Sequence, residues 1–439
     1  MFIIRRLYQW FFKASPARLM VLGFAGVIFI GAFLLWLPVS HNAGHSLSFY
    51  DALFEAVSAV CVTGLTVVSP GDTFSLFGRL VLACLIQIGG MGVVLLGILL
   101  ILMAGGRLGF KTRSLFIQAQ NLSGYRDVVH VAKIILGMTF SIEAIGALIL
   151  WPLLGKYFSP GQAFGHACFL AVSAFNNAGF DVFHGGESLI PYTNDAFFCL
   201  AIDALVILGS FGFVAMSDLW RKRFKWNKLL LTTKIATFMT IMLLVGGMIL
   251  LKITTTQTWL ESFTQSVVAR TAGFSTFPLS SFSNGGIMIF IMLMFIGASP
   301  NSTGGGIKTT TAFVIGLKAI SSTAAHDEDS VFYRRVPNLI FTKASTVLFF
   351  GLSAVMGATT LLCALEPQIS LSAILVEVVS AFATVGSSCG ITSSLCWASK
   401  GILMICMFIG RLGPVTIANL LVNGEEPHAR YTEENVLIG

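Results

Sequence analysis

Four short stretches share a pattern that can hold a bare cation. "SAVCVTGLTVV", "SAFNNAGFDVF", "VVARTAGFSTF" and "SAFATVGSSCG" each run through small or apolar residues to one glycine: Gly64, Gly179, Gly273 and Gly386. The last contains Thr384-Val385-Gly386, and a Thr-Val-Gly run is what lines a potassium-channel filter with backbone carbonyls. Glycine reaches φ > 0 without a Cβ clash, so the carbonyls of neighbouring residues can all turn to one side. Four such loops around one axis replace the hydration shell of a cation with oxygens. The candidate strands are Val62-Thr63-Gly64, Asn177-Ala178-Gly179, Thr271-Ala272-Gly273 and Thr384-Val385-Gly386, with K+ held at their carbonyls. Glycine also serves close helix packing in membranes. Its recurrence at one place in four repeats favours the filter.

The elements that position these loops follow from length and apolarity. The hydrophobic stretch before each glycine runs for about 10–14 residues, against the ~20 that a helix needs to cross a bilayer. Such segments suit re-entrant pore helices, whose negative C-terminal ends then point toward a cation. The chain has 439 residues, 55% hydrophobic and 11% charged, with mean hydropathy +0.85. A soluble domain carries about 25% charged residues. "LVLACLIQIGGMGVVLLGILLILMAG" (80–105) has no charge at all. The runs are continuous and do not alternate, which argues against a β-barrel. The opening "MFIIRRLYQWFFKASPARLM" has no small-residue cleavage site and reads as a retained, interfacial amphipathic segment. The eight cysteines form no C-x-x-C pair and read as small buried side chains.

Net charge is +7, and its location says more than its size. Lys and Arg cluster at 5–18, 107–133, 221–234 and 318–343. The positive-inside rule puts these clusters in the cytoplasm. They are short loops spaced between membrane spans, a poor fit to nucleic-acid binding. They cut the chain into four repeats: 1–105, 106–225, 226–322 and 323–439. Spans near 17–38 and 77–104, 130–154 and 196–219, 229–251 and 286–317, and 340–362 and 397–422 flank the four glycine stretches. An internal repeat governs the fold reading. The expectation is an all-α membrane protein of four tandem helix–pore loop–helix repeats around one pore. It would have eight transmembrane spans, four re-entrant pore helices and both termini in the cytoplasm.

The third inner span is interrupted by "MFIGASPNSTGGGIKTTTAF". Proline removes a helix donor and glycines favour irregular backbone, so this helix breaks within the membrane. The reading is a gate loop (297–311) carrying Thr303, Gly304, Gly305 and Gly306; the competing one is a kink or a connection between two short helices. Lys308 either joins the gate or snorkels to the inner face. Arg411 lies in the last span, where a charge marks function by default, with gate-loop carbonyls or hydroxyls as expected partners. Arg270 is expected to brace the third loop, with Glu377 as its partner. Glu143 and Asp203, also at membrane depth, read either as interhelical hydrogen bonding or as a cation site.

"AVCVTGLTVV", "AFNNAGFD", "RTAGFST" and "ATVGSS" resemble the ion-conducting subunits of the Trk/Ktr/HKT potassium transport superfamily, over nearly the whole chain. The length is most like its KtrB branch, and "YTEENVLIG" resembles a tail that lies at the dimer contact there. The resemblance implies a homodimer with one pore per protomer in the bacterial inner membrane. It implies a cytosolic KtrA-type RCK ring that carries the nucleotides, none being bound by this chain. It implies K+ as the transported ion, often with Na+ stimulation. Serine at the first filter glycine goes with Na+ conduction in plant relatives, and Gly64 therefore favours K+. It also places a gate loop at 297–311 and an arginine at 411. The segments 323–338 and 220–228 are candidate docking surfaces. A carrier-type Na+/K+ symporter is the alternative, disfavoured by four parallel repeats and one broken inner helix, since carriers show inverted repeats and paired broken helices. No catalytic motif is present, and the chain is not read as an enzyme.

Overall fold

The computed structural model describes residues 16–103, 110–119, 128–323, 330–413 and 416. The tail at 431–439, residues 1–15 and the part of the 323–338 docking candidate at 324–329 lie outside them. The described residues are almost entirely helical. One small hairpin pairs β1 (Ser330–Val331) with β2 (Arg334–Arg335).

Four helices are long and apolar enough to cross a bilayer: α1 (Pro16–Trp36), α6 (Val128–Leu154), α10 (Leu231–Thr254) and α14 (Asn338–Leu365). Each opens one repeat. Many large apolar side chains on them are exposed, including Phe29, Ile149, Ile241 and Phe349. That is the surface a lipid solvent covers. This is a multi-pass helical membrane protein.

Each long helix is followed by a short one: α2 (Phe49–Cys61), α7 (Pro160–Phe175), α11 (Trp259–Val268) and α15 (Leu371–Ala383). At 10 to 16 residues they cannot span. Their starts are chemically marked. Ser48 accepts from Asp51 N, Ser370 accepts from Ala373 N, and Thr258 with Glu261 forms a capping box. Proline opens α7.

The inner helices differ from the expected straight spans. In the first repeat α3 (Leu76–Met91) and α4 (Val93–Met103) meet at a bend of 100°; in the second, α8 (Ala196–Phe211) and α9 (Phe213–Arg221) meet at 94°. Among the described residues α5 (Phe110–Ala119) follows α4. The hinges are Gly92 and Gly212, at φ +87° and +97°. L side chains rarely adopt such angles, so only glycine turns the chain there at low cost. The expectation of a single broken inner helix is corrected: at least three break. The third repeat does break as its sequence predicts, with α12 (Asn284–Phe295) and α13 (Thr309–Thr323) separated by an irregular loop. The fourth has α16 (Trp397–Leu412), ending at Gly413 with φ +86°.

Three of the four inner helices lean on a short helix through a glycine. A Cβ on Gly89, Gly209 or Gly410 would collide with the carbonyl oxygen of Val60, Phe175 or Phe382. Those three carbonyls stand four residues before Gly64, Gly179 and Gly386. Gly209→Ala should therefore destabilise the protein by about 1–3 kcal/mol, the usual cost of overpacking a close contact. Gly26→Ala, with nothing near its would-be Cβ, should be neutral or slightly stabilising. Thermal unfolding in detergent compares the two, and equal melting points would contradict the packing.

Candidate functional site

The four short helices converge on a ring of loops. All four glycines have positive φ: +91° at Gly64, +68° at Gly179, +72° at Gly273 and +97° at Gly386. Two residues earlier, each loop has a non-glycine residue in the left-handed region: Val62, Asn177, Thr271 and Thr384, with φ from 52° to 78°. The same unusual backbone thus recurs four times.

The loops also close on one another in order. A Cβ on Gly64 would collide with the Ala178 carbonyl oxygen, one on Gly179 with that of Ala272, one on Gly273 with that of Val385, and one on Gly386 with that of Thr63. Each glycine meets the carbonyl of the residue just before the next glycine. The ring runs first, second, third, fourth and back to first. On one side it opens into a vestibule of about 530 Å³, lined by the four glycines together with Thr66, Asp181, Ser275 and Ser388. On the other side Val62, Asn177, Thr271 and Thr384 are fully buried.

Side chains behind the ring hold its backbone. Six residues before the glycine, Ser58 Oγ accepts from Gly64 N at 3.1 Å and Ser380 Oγ accepts from Gly386 N at 2.9 Å. Ser173 Oγ donates to Phe180 O at 2.6 Å. Nine residues before it, Glu55 and Glu377 occupy matching places in repeats one and four. Glu55 Oε1 accepts from Val67 N at 2.8 Å, and Glu377 accepts from Ser388 and Thr392. The repeated "E-x-V-S-A" before two of the glycines carries this signal, although composition and charge alone pass over it. Glu143 and Asp203 brace the scaffold by hydrogen bonds between helices. Glu143 accepts from Gln87 at 3.1 Å and from Asn176 at 2.9 Å, and Asp203 accepts from Thr264 at 2.8 Å. Arg270 is buried beside the third loop, but Glu377 is not its partner; Arg270 Nε and Nη2 have no hydrogen-bond partner among the described residues. The expected Arg270–Glu377 pair is corrected, because the hydroxyls of the fourth loop already engage Glu377.

The loop between α12 and α13 lies against the buried side of the ring. Its backbone is pinned to the second inner helix: Ser299 N donates to Ser210 O at 3.0 Å, Thr303 N to Gly209 O at 3.2 Å, and Phe213 N to Asn301 O at 2.8 Å. Gly305 N donates to Thr384 Oγ1 at 3.0 Å. Gly304 has no room for a Cβ because Thr271 Oγ1 stands there, and Gly306 packs on Ala383. Lys308 does not reach away to the membrane face; its Nζ donates to Gly304 O at 2.6 Å. Arg411 bridges three repeats, donating to Thr303 O of the loop and to Gly89 O and Gly90 O at the end of α3.

A family model for TrkH, described as a cation transport protein, matches residues 19–229 and 224–424. The chain belongs to this cation transporter family. It is a transporter and not an enzyme. It is 36% identical to the Ktr system potassium uptake protein B of Vibrio alginolyticus, over 97% of this chain and 96% of that one. It is 37% identical to the Ktr system potassium uptake protein D of Bacillus subtilis, over 97% of each. It is 33% identical to the potassium/sodium uptake protein NtpJ of Enterococcus hirae, over 97% of this chain and 98% of that one. The crystal structure of the potassium transporter TrkH from Vibrio parahaemolyticus superposes with TM-score 0.74 at 18% identity, over 93% of this chain and 86% of that one. At that identity the likeness establishes the fold.

Glu55→Leu should leave the Val67 and Val68 amides without their acceptor, at about 1–3 kcal/mol for an unsatisfied buried donor. Glu55→Gln keeps an acceptor and should lose less. Melting temperature and ion flux of the two purified variants check this; an equal loss in both would assign the effect to charge and not to the hydrogen bond.

Proposed function

We propose that this chain takes up K+ across the bacterial cytoplasmic membrane through a channel-like pore. The closed ring of glycine-to-carbonyl approaches carries the reading, because it brings four sets of backbone oxygens around one axis. In this reading Val62 to Gly64, Asn177 to Gly179, Thr271 to Gly273 and Thr384 to Gly386 are the filter. The vestibule faces outward, and the basic loops and both termini face the cytoplasm. The four repeats at 1–105, 106–225, 226–322 and 323–439 each supply one quarter of the pore. The relatives named as potassium uptake proteins, with one named for potassium and sodium, support K+ as the main ion and Na+ as a secondary one.

The loop at 297–311 with Thr303, Gly304, Gly305, Gly306 and Lys308 acts as the gate, and Arg411 holds it. The loop's bonds to Gly209 and Ser210 of α8 and to Arg411 of α16, which also holds the end of α3, support this. The driving force is the membrane potential, worth about 2.3 kcal/mol per elementary charge at 100 mV, enough to concentrate K+ without chemistry in this chain. The Ktr-system names of the relatives support association with further components; we assign a homodimer and a cytosolic KtrA-type RCK ring that binds the nucleotide.

Uptake of K+ and Na+ by cells lacking their own K+ transporters tests the pore. The wild type should restore growth at low K+, with an RCK partner supplied where needed. Gly64→Ser should lower the preference for K+ over Na+ several-fold. Well-expressed Gly64→Ser protein with unchanged preference would remove Gly64 from the filter and move the carrier-type symporter ahead.

A further inference from the structure

We propose that the start of α10 holds one anionic phospholipid of the inner leaflet, with its headgroup phosphate at Lys234 and an acyl chain in the groove that runs from Trp226 along the outer face of the helix. The site lies away from the pore and takes from the reading above only the cytoplasmic placement of the basic loops.

Lys234 calls for an anion. It stands in the first turn of α10 and is only 5% exposed. Among the described residues its Nζ makes no hydrogen bond and no salt bridge. What it meets is two aromatic rings, those of Trp226 and Phe332, each with its centroid 5.9 Å away. Ring faces attract a cation, but a buried charge is costly until it is paired. Asp218, which sits at the same helix start, is already engaged: it accepts from Leu230 N at 2.8 Å and pairs with Lys222 Nζ at 2.7 Å. Further cations surround this end of the helix. Lys225, Lys228 and Arg334 are exposed, and Arg334 Nη2 donates to Leu229 O at 3.2 Å. Basic groups on the cytoplasmic side of a span attract anionic headgroups, and tryptophan favours that depth.

One turn on, the same face of α10 becomes a groove. Thr237 and Phe238 lie three and four residues after Lys234, and Ile241 and Met242 seven and eight after it, the spacing of one helix face. A cavity of about 500 Å³ is bounded there by Trp226, Phe238, Ile241, Met242, Val245 and Gly246. Its walls are apolar, and Phe238, Ile241, Met242 and Val245 are exposed. From Lys234 to Gly246 the helix rises about 18 Å at ~1.5 Å per residue, against about 15 Å for the hydrocarbon of one leaflet. An acyl chain that starts beside Trp226 therefore has groove along its whole depth. An acidic peptide would pair with Lys234 and leave the groove empty. A zwitterionic lipid would fill the groove but bring its own cation to Lys234. An anionic phospholipid meets both halves of the site.

The full-length chain in detergent, titrated with dioleoyl phosphatidylglycerol or dioleoyl phosphatidylcholine, tests the site by native mass spectrometry and thermal unfolding. The wild type should retain phosphatidylglycerol several-fold more than phosphatidylcholine. Lys234→Met removes the charge and keeps the length. It should lose that difference, and without lipid it should melt no lower than the wild type, because the charge it removes has no ionic partner. Lys234→Arg should keep the difference. A Cβ on Gly246 would meet nothing within 4 Å, so Gly246→Leu fills the groove without a clash. It should retain both lipids several-fold less, and it keeps the test open where Lys234→Met does not fold. Glycerol phosphate has the phosphate without the chains and should bind the wild type far more weakly than phosphatidylglycerol. An undiminished phosphatidylglycerol preference in Lys234→Met would overturn the headgroup assignment. Glycerol phosphate binding as tightly as the lipid would leave a free-anion site and overturn the groove. Unchanged lipid retention in Gly246→Leu, or a dimer that dissociates with it, would give the groove to a second copy of the chain. Neither readout involves ion flux, so a failed pore reading leaves this test standing.

Discussion

The structure depends on a contact that leaves no room for a side chain. Each of Gly64, Gly179, Gly273 and Gly386 lies so close to the carbonyl of the next loop that a Cβ would collide with it. Carbonyl oxygens crowd one another when they face one axis, and something must fix each loop against that crowding. The short helices do so from behind. Serines and glutamates on α2, α7 and α15 take up the loop amides and carbonyls by direct hydrogen bonds. Irregular backbone at membrane depth survives only where protein or a wet cavity satisfies it, and these side chains meet that condition. The inner helices complete the cage by pressing glycines onto the carbonyls of three pore helices.

Having four repeats in one chain frees each copy to differ. Nine residues before the ring glycine stand Glu55, Leu170, Thr264 and Glu377. Two residues before it stand Val62, Asn177, Thr271 and Thr384. After the inner-helix glycine come Gly90, Ser210, Ala298 and Arg411. A tetramer of identical subunits would carry four arginines at this last place, close to one axis and mutually repulsive. One chain carries a single arginine, and its partners are the carbonyls of the loop and of α3. The third repeat has given up its straight continuation altogether. Gly297 there packs on Gly305 of its own loop, where its counterparts pack on a pore helix.

Much of this was legible in the sequence. The four glycines, the short apolar stretches before them and the Pro-Gly interruption at 300–306 each have a local chemical cause. They appear where their residues placed them. The bends at Gly92 and Gly212 did not stand out, because each lies inside a long apolar run that already satisfies the length of a span. The readable sign was alignment between repeats: "IGGMG", "LGSFG", "IGASP" and "IGRLG" hold the same place, and the proline marks only one of the three breaks among the described residues. Partners across the fold were the least legible. Glu143 reaches Gln87 and Asn176, 56 and 33 residues away, and no periodicity announces such pairs.

The loop between α12 and α13 is fastened by several separate bonds of moderate strength. Its bonds to Ser210, Gly209, Thr384 and Asn177 are between neutral groups, each worth about 0.5–1.5 kcal/mol net. Arg411 adds charge-assisted bonds to Thr303, Gly89 and Gly90, worth about 1.5–3 kcal/mol each. Moving a two-state element from mostly closed to mostly open takes about 5.5 kcal/mol of differential binding. A few such bonds reach that range. A buried carboxylate opposite Arg411 would fasten the loop too firmly, since breaking a buried ion pair costs about 3–5 kcal/mol at a single contact. Carbonyl partners hold the arginine in several smaller steps, spread over the loop and the end of α3.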